Sequence, residues 1–332
     1  MDNRLGATAF AKINIGLRIG PRSSDSYHPI ISLFQSVSLS DHIALRWSEG
    51  GDKSGAPRED GDGKEGEVVV DGDFDCPPEA TTLYKAAVVF LRGLGIRARL
   101  RIDVDKGIPA KAGLGGGSAD AAALLVLLNQ AFKTGLGPGE IAELGLSVGS
   151  DVPFFFSGGT ALVHGRGELI ETLPPSREFG ILLIQPSFGV ATPWAYGALD
   201  SYRAARRGYA DLCQWDARTI EAKKREIVEE LKKPLSDWGF VNDFAPLLYR
   251  EYPAYRELDL LLRSAGAAFV SISGSGSSIY GLFENPGEAL EAKARLLEDV
   301  ALEDAAEGGT GKLLYGMGLH AIKPLETSLR LG

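Results

Sequence analysis

Apolar residues recur at every second position over 7–19, with Ala9, Ala11, Ile13, Ile15, Leu17 and Ile19 on one face and Phe10, Lys12, Asn14, Gly16 and Arg18 on the other. Period two predicts a strand. Lys12 and Asn14, two residues apart, project to the same side. On the pattern alone that side reads as a solvated polar face, ahead of the alternative of a pair of working side chains. After a polar turn at 21–26, residues 27–39 read as a second strand ending at Asp41-His42, and 43–47 as a short third one. Residues 48–66 are rich in Gly, Asp and Glu and nearly free of apolar side chains, which predicts a solvated hairpin loop. A strand resumes over 67–71. Thr81 caps a helix that Gly93 and Gly95 end, and alternation over 98–104 predicts another strand.

The next stretch is the most unusual. Gly113, Gly115, Gly116 and Gly117 fall within five residues, followed by Ser118 and an Ala/Leu run to Asn129 with almost no polar side chain. Glycines let backbone N–H groups turn towards a ligand without Cβ clashes. A helix N-terminus adds orphan donors and partial positive charge, so loop and helix together suit an anion, phosphate above all. Ser118 fits either an N-cap or a phosphate ligand. The P-loop spacing fails because Gly117, not Lys, precedes Ser118. The dinucleotide fingerprint fails because its sixth position is Ser118 rather than Gly. The remaining readings are a phosphate cradle of a third kind or a glycine linker ahead of a core helix.

Residues 138–148 predict a short amphipathic helix, followed by Gly149-Ser150-Asp151-Val152-Pro153 and an apolar run. Asp151 fits a helix N-cap with Pro153 in the first turn, or a carboxylate held near the glycine loop. A hairpin follows around Gly165-Arg166-Gly167. The pattern restarts at Phe179 with a buried strand over 180–185, a loop over 186–196 carrying Phe188, Thr192, Trp194 and Tyr196, and charged surface helices over 198–238. Short helices run through Tyr249 and to Ser264. Two strands joined by a Gly/Ser loop, an amphipathic helix over 286–299 and a last strand over 312–322 complete an α+β order of ferredoxin-like kind. No internal repeat is visible.

Composition adds limits. The 332 residues suggest roughly two domains. A net charge of -9 without a Lys/Arg cluster argues against nucleic acid as the main partner. Cys76 and Cys213 stand apart and outside any metal or redox spacing, as in a reducing compartment. No run of eighteen apolar residues spans a membrane, and the first residues have no apolar signal core, so a cytoplasmic protein is expected.

Several stretches taken together resemble the three motifs of the GHMP small-molecule kinases: Ala11-Lys12-Ile13-Asn14, the loop from Lys106 through Gly113-Leu114-Gly115-Gly116-Gly117-Ser118, and Ile272-Ser-Gly274-Ser-Gly276-Ser-Ser278. Tyr27-His28, Gly149-Ser-Asp151-Val-Pro153 and Asn242-Asp243 resemble the branch of that family that phosphorylates a cytidyl sugar alcohol. The match runs over nearly the whole chain, and six motifs in order are far more specific than any one of them. The resemblance implies a two-domain fold, with an N-terminal ribosomal-protein-S5-like α/β domain (1–165) and a C-terminal ferredoxin-like α+β domain (166–332). The strand near 312–323 is the candidate for a return to the first domain.

It also implies transfer of the ATP γ-phosphate to a hydroxyl of the cytidyl substrate, with Mg2+ accompanying the nucleotide. Lys12 and Asp151 match the catalytic pair. Lys106, Pro109, Ala110, Lys111, Ala112 and the 113–118 loop match the ATP site. Asn14, Tyr27, His28, Asp151, Thr192, Tyr196, Gly274 and Gly276 match the substrate site. Tyr27 would stack on the cytosine, His28 would hydrogen-bond its edge, and Tyr196, or else Phe188 or Trp194, would be the second stacking ring. A GHMP kinase acting on mevalonate, homoserine or a sugar has no pyrimidine for Tyr27-His28 to read, and a non-catalytic nucleotide binder has no need of both Lys12 and Asp151.

Three departures from the family pattern stand out. Asp25-Ser26 replaces Asp-Gly before Tyr-His, Thr81 replaces Asn near the adenine pocket, and the acidic insert 48–66 and charged helices 203–233 are longer than expected and read as surface decoration. No residue is assigned as a protein ligand to the metal.

Overall fold

The alternating segment forms β1 (Asn3–Ile19), but its odd-numbered residues do not share one core. The chain forms a computed structural model that describes residues 3–23, 26–49, 67–174, 178–205, 215–303 and 313–332, with the backbone alone at 49 and 300–303. Ala7 and Ala9 pack into a helix-side core, Ala11, Ile13 and Ile15 into a core between two sheets, and Leu17 and Ile19 into a third cluster with the C-terminal helices. Two register shifts, between Phe10 and Lys12 and between Ile15 and Leu17, divide the strand at these points. Irregularities of this kind re-aim side chains. Here they leave β1 buried on both sides, with Lys12 and Asn14 among its buried residues. The solvated-face reading of those two residues is therefore wrong.

Residues 27–47, expected as two strands, form one twenty-residue strand, β2 (Ile30–Glu49). Asp41 does not break it. Its carboxylate is fully buried and accepts from the backbone N–H groups of Gly107 and Ile108, at 2.7 Å each. That compensation comes from more than sixty residues away. Ser48 and Glu49 continue β2 rather than opening the acidic insert, whose residues 50–66 lie outside the described residues.

The first sheet has the order β11-β1-β2-β4-β3, with β3 (Val68–Gly72), β4 (Ala98–Asp105) and β11 (Leu329–Leu331). β5 (Thr160–Gly165) adds to β2, and β6 (Leu169–Leu173) to β5. Against it pack α1 (Thr82–Gly93), α2 (Gly116–Phe132), α3 (Pro138–Val148) and the short α4 (Phe154–Ser157). Thr81 caps α1, its hydroxyl accepting from Tyr84 N. The Ala/Leu run of α2 is buried nearly all round, as a helix without a polar face must be.

The second sheet contains β7 (Gly180–Gln185), β8 (Phe269–Ile272), β9 (Ile279–Phe283) and β10 (Gly318–Ile322) in the antiparallel order β10-β7-β9-β8. This is the ferredoxin-like order. Helices α5 (Thr192–Ala204), α6 (Ala217–Leu231), α7 (Ala245–Glu251), α8 (Ala254–Ser264) and α9 (Pro286–Glu303) complete this half, with α6 lying against β2 of the first sheet.

Several boundaries differ from expectation. A division at 165/166 falls inside the β5–β6 hairpin, which belongs wholly to the first sheet. The late strand pairs with β7, and the element that returns to β1 is β11, whose three residues are too short to show a period. Thr192, Trp194 and Tyr196 stand on α5, not on a loop, because Pro193 occupies its first turn. Arg203, read as surface decoration, is buried. It donates to the carbonyls of Gly20 and Ile19 and to Asp243 Oδ2, the latter two at 3.0 Å. Residues 206–214, expected as helix, lie outside the described residues.

Candidate active site

The glycine loop lies against the second Gly/Ser loop. A Cβ at Gly113 would stand 2.2 Å from the Ser273 carbonyl oxygen, and its φ of +74° is in the left-handed region, so only glycine fits. At Gly115 (φ +72°) a Cβ would meet the Phe155 ring at 2.9 Å and the Lys12 side chain at 3.2 Å. Gly115 is the residue before α2, so Ser118 lies inside the first turn and is not the N-cap. The linker reading fails with it, because the loop is fixed on both sides and opens the first amides of a buried helix to a cavity. The cavity measures about 500 Å3 and is lined by Pro109, Ala110, Lys111, Ala112 and the whole 113–118 loop.

Lys12 enters this cavity from β1. Its backbone N–H leaves the β1–β2 ladder to bond Leu114 O at 3.0 Å, tying strand to loop. Its ammonium donates to Asn14 Oδ1 at 2.6 Å and lies 3.7 Å from Asp151 Oδ2, an ion pair rather than a direct hydrogen bond. Burial pulls the Lys12 pKa below the usual lysine range, and the charge of Asp151 opposes the shift. Asp151 sits in the turn before α4. It does not cap that helix, whose N-cap is Pro153. Asn14 is held from its other side: Nδ2 donates to Ser32 Oγ at 2.9 Å, and Ser32 donates to Gly16 O at 2.6 Å.

The Gly/Ser loop is braced by Asn242, whose Nδ2 donates to the carbonyls of Ile272 and Gly274, both at 2.8 Å. Thr192 and Ser275 hydroxyls lie 2.9 Å apart on the cavity wall, next to Gly274. Gly276 is not on that wall. A Cβ there would meet the Tyr255 hydroxyl at 2.8 Å, so a contact inside the protein, not a ligand, explains this glycine.

At one end of the cavity Lys106 bridges two buried carboxylates. It donates to Asp120 Oδ2 at 2.8 Å and to Asp41 Oδ2. Burial works against the Lys106 charge, but the two carboxylates outweigh it and raise its pKa. Burial also drives Asp120 up to about 7, with the Asp41 charge adding and Lys106 opposing. Asp120 Oδ1 is buried without a partner. Thr81 and Thr82 line this end as well.

At the other end stand Tyr196, Phe244 and Arg166. Burial, with Asp151 adding, pushes the Tyr196 phenol up to about 12, so it stays protonated. The expected slot between Tyr27 and a second ring is arranged otherwise. Tyr196 stacks on His28, with centroids 5.1 Å apart and planes 25° apart. The His28 ring is buried, with Nδ1 2.9 Å from Gly20 O and Nε2 3.3 Å from Asp200 Oδ2. Tyr27 is 56% exposed, off the cavity wall, with the Arg166 guanidinium over its ring. Phe188 stacks face to face on Tyr252, and Trp194 meets the edge of the same ring, so neither lines the cavity. Ser26 adopts a φ of +70°, so the turn tolerates the left-handed conformation that the family's glycine would take freely.

Sequence reasoning missed Asp41, Asp120, Ser32, Ser273, Arg166 and Asp200. One signal was present: Asp120 is a charged residue inside an otherwise apolar helix.

The chain matches the models for the GHMP kinases N terminal domain over residues 81–159 and the GHMP kinases C terminal domain over 223–301. It is 36% identical to a 4-diphosphocytidyl-2-C-methyl-D-erythritol kinase of Pelotomaculum thermopropionicum, over 87% of this chain and 92% of that protein. The chain belongs to the 4-diphosphocytidyl-2-C-methyl-D-erythritol kinase family, within the GHMP kinases. A solved 4-(cytidine 5'-diphospho)-2C-methyl-D-erythritol kinase matches with a TM-score of 0.68 at 26% identity, covering 96% of this chain and 98% of that one. A homoserine kinase from Cytophaga hutchinsonii shares the GHMP fold, with a TM-score of 0.69 at 18% identity, over 100% of this chain and 98% of that one. Among the described residues no helix is long and apolar enough to cross a membrane.

Proposed function

We propose that this chain transfers the γ-phosphate of ATP to the 2-hydroxyl of 4-diphosphocytidyl-2-C-methyl-D-erythritol, giving the 2-phosphate and ADP. The reaction belongs to the non-mevalonate isoprenoid precursor pathway, and cytoplasmic residence fits such a metabolite. The observation that carries the reading is the Lys12–Asp151 pair, which faces the same cavity as the open N-terminus of α2.

Phosphoryl transfer needs positioning and charge stabilisation more than covalent chemistry. The amides of the 113–118 loop and the first turn of α2 cradle the phosphates. Asp151 orients the acceptor hydroxyl and takes its proton. The Lys12 ammonium keeps that carboxylate ionised and offsets charge on the group in transit. Asn14 and Thr192 hold the substrate's hydroxyls, and Tyr196 receives the pyrimidine end beside His28 and Tyr27.

Mg2+ would come with the nucleotide and neutralise charge on its phosphates. Among the described residues no cluster of three metal-ligating side chains exists. A magnesium ion bound with a nucleotide keeps several waters and leans on phosphate oxygens. The protein oxygen suited to it is the hydroxyl of Ser118, a residue of the cavity wall. Phosphorus NMR of a reaction with ATP tests the reading. A new phosphomonoester resonance on the cytidyl substrate, growing with ADP, is expected; ADP without that resonance would overturn it.

A further inference from the structure

The face of β1 and β2 that meets the transfer centre carries an aromatic ring. Phe34 stands opposite Asn14 in the β1–β2 register, and Ser36 stands opposite Lys12. Paired residues share a face, so Lys12 is the diagonal neighbour of Phe34. The Lys12 ammonium lies over the Phe34 ring, 4.5 Å from its centre. Both side chains are shut off from water: Phe34 is 1% exposed and the Lys12 side chain 5%. The ring is itself held in place. Phe154 meets it edge to face, with centroids 5.2 Å apart and planes at 75°, and Phe155 meets Phe154 in the same way at 5.2 Å and 76°. Phe154 and Phe155 begin α4, just after the turn that holds Asp151, and the Phe155 ring packs on Gly115 of the phosphate loop. Phe34, Phe154 and Phe155 thus join β2, the Asp151 turn and the phosphate loop behind one ammonium.

We infer that Phe34 is a positioning residue for the transfer step: the face of its ring holds the Lys12 ammonium against Asp151, and Phe154 and Phe155 set the place of that ring. The inference rests on the phosphoryl-transfer reading given above. An ammonium has three hydrogens to direct. Asn14 Oδ1 accepts at 2.6 Å and Gly113 O at 3.3 Å. Asp151 Oδ2, at 3.7 Å, is beyond direct hydrogen-bond reach and does not fix the cation by itself. The ring supplies the remaining restraint. The negative face of an aromatic ring attracts a cation, most strongly where water is excluded from both. It has no lone pair to compete with Asp151 for the acceptor hydroxyl. Burial lowers the Lys12 pKa, and the ring face works against that shift, as the charge of Asp151 does. The ionisable groups around the ammonium are Asp151 from the turn before α4, Tyr196 from α5 and Arg166 from the β5–β6 turn. β2 and the phosphate loop face it with Phe34, Ser36, Gly113 and Gly115, none of which titrates.

Phe34 also belongs to the helix-side core, so its packing has to be separated from its hold on Lys12. Fluorination does this, because each fluorine weakens the negative ring face while the shape hardly changes. Phenylalanines with one, two and three ring fluorines are incorporated at position 34, with Phe34→Leu beside them. The value of kcat should fall with each fluorine, by about tenfold at three, the scale of a buried cation–π contact. The KM for ATP and the KM for the cytidyl substrate should each hold within about twofold, and the melting temperature should not move. The alkaline limb of the kcat profile should shift to lower pH, because a poorer ring face releases the Lys12 proton more easily. Carbon NMR of labelled lysine, with the Lys12 signal assigned by its loss in Lys12→Met, should show the same downward steps without any substrate. Phe34→Leu should lose as much kcat as the trifluoro ring. A kcat and a Lys12 titration that ignore the fluorine count would overturn the inference. Losses confined to Phe34→Leu, in step with a lower melting temperature, would assign Phe34 to packing and overturn it too. If the unmodified protein releases no ADP with the cytidyl substrate, the proposed function fails, and the NMR titration still decides whether the ring holds Lys12.

Discussion

The Lys12 ammonium lies 3.7 Å from Asp151 Oδ2 and 2.6 Å from Asn14 Oδ1, so Asn14, two residues along the same strand, steadies the cation that faces the carboxylate. Lys12 and Asn14 share a strand, Asp151 comes from a turn some 140 residues on, and the Gly113 carbonyl, 3.3 Å from the same ammonium, closes the group from the phosphate loop.

If Asp151 is the proton acceptor, Asp151→Asn should lower kcat by about a hundredfold to ten-thousandfold, the range typical of a lost general base. ATP affinity should hold within about twofold, because the phosphate loop is untouched. ADP release and equilibrium nucleotide binding, measured on the same preparation, separate these effects.

Ser32 reaches the chemistry only through Asn14. Its hydroxyl accepts from Asn14 Nδ2 and donates to Gly16 O. Ser32→Ala should leave both groups buried without this partner, costing about 1–3 kcal/mol of stability. It should also lower kcat while leaving the KM for ATP unchanged. Denaturant unfolding beside steady-state kinetics reads both; a stable variant with wild-type kcat would remove Ser32 from the positioning chain.

His28 fills the space between Tyr196 and the Gly20 carbonyl. His28→Ala should raise the KM for the cytidyl substrate by about tenfold or more, since a buried ring and its hydrogen bonds are lost together. The KM for ATP should be unaffected. Equal losses in both constants would assign His28 to the fold alone.

Asp120 carries a pH signature. Its pKa rises from 3.8 to about 7, first through burial and then through the charge of Asp41. The folded state therefore holds this proton more tightly than the unfolded chain. Its contribution to stability is full below about pH 4 and is lost as the pH rises through about 7. Asp120→Asn should flatten that part of the melting-temperature profile and leave the protein at least as stable as wild type at pH 8. An unchanged slope between pH 4 and 7 would show that Asp120 does not titrate there.

What could be read from the residues depended on whether the cause was local. The strand period around Lys12, the glycine run into an apolar helix and the turn holding Asp151 all have short-range signatures, and their order carried the family. Asp41 looked like a strand end because its partners, Gly107, Ile108 and Lys106, are distant in sequence. Arg203 looked like surface charge because Asp243 and the carbonyls at 19 and 20 meet it only after folding. The alternation in β1 looked uniform because a register shift belongs to a pair of strands, and one strand's sequence does not contain its partner. Arg166 lay between two glycines in a plain hairpin, and only the pairing of β5 with β2 brings it to Tyr27.

The most direct measurement is kcat/KM for ADP release with the diphosphocytidyl substrate, mevalonate and homoserine, each at the same ATP concentration. Turnover with the diphosphocytidyl substrate at least about a thousandfold above the other two is expected, because a site with buried polar groups rejects ligands that leave them unpaired. Comparable turnover with mevalonate or homoserine, or none with the cytidyl compound, would contradict the proposed function.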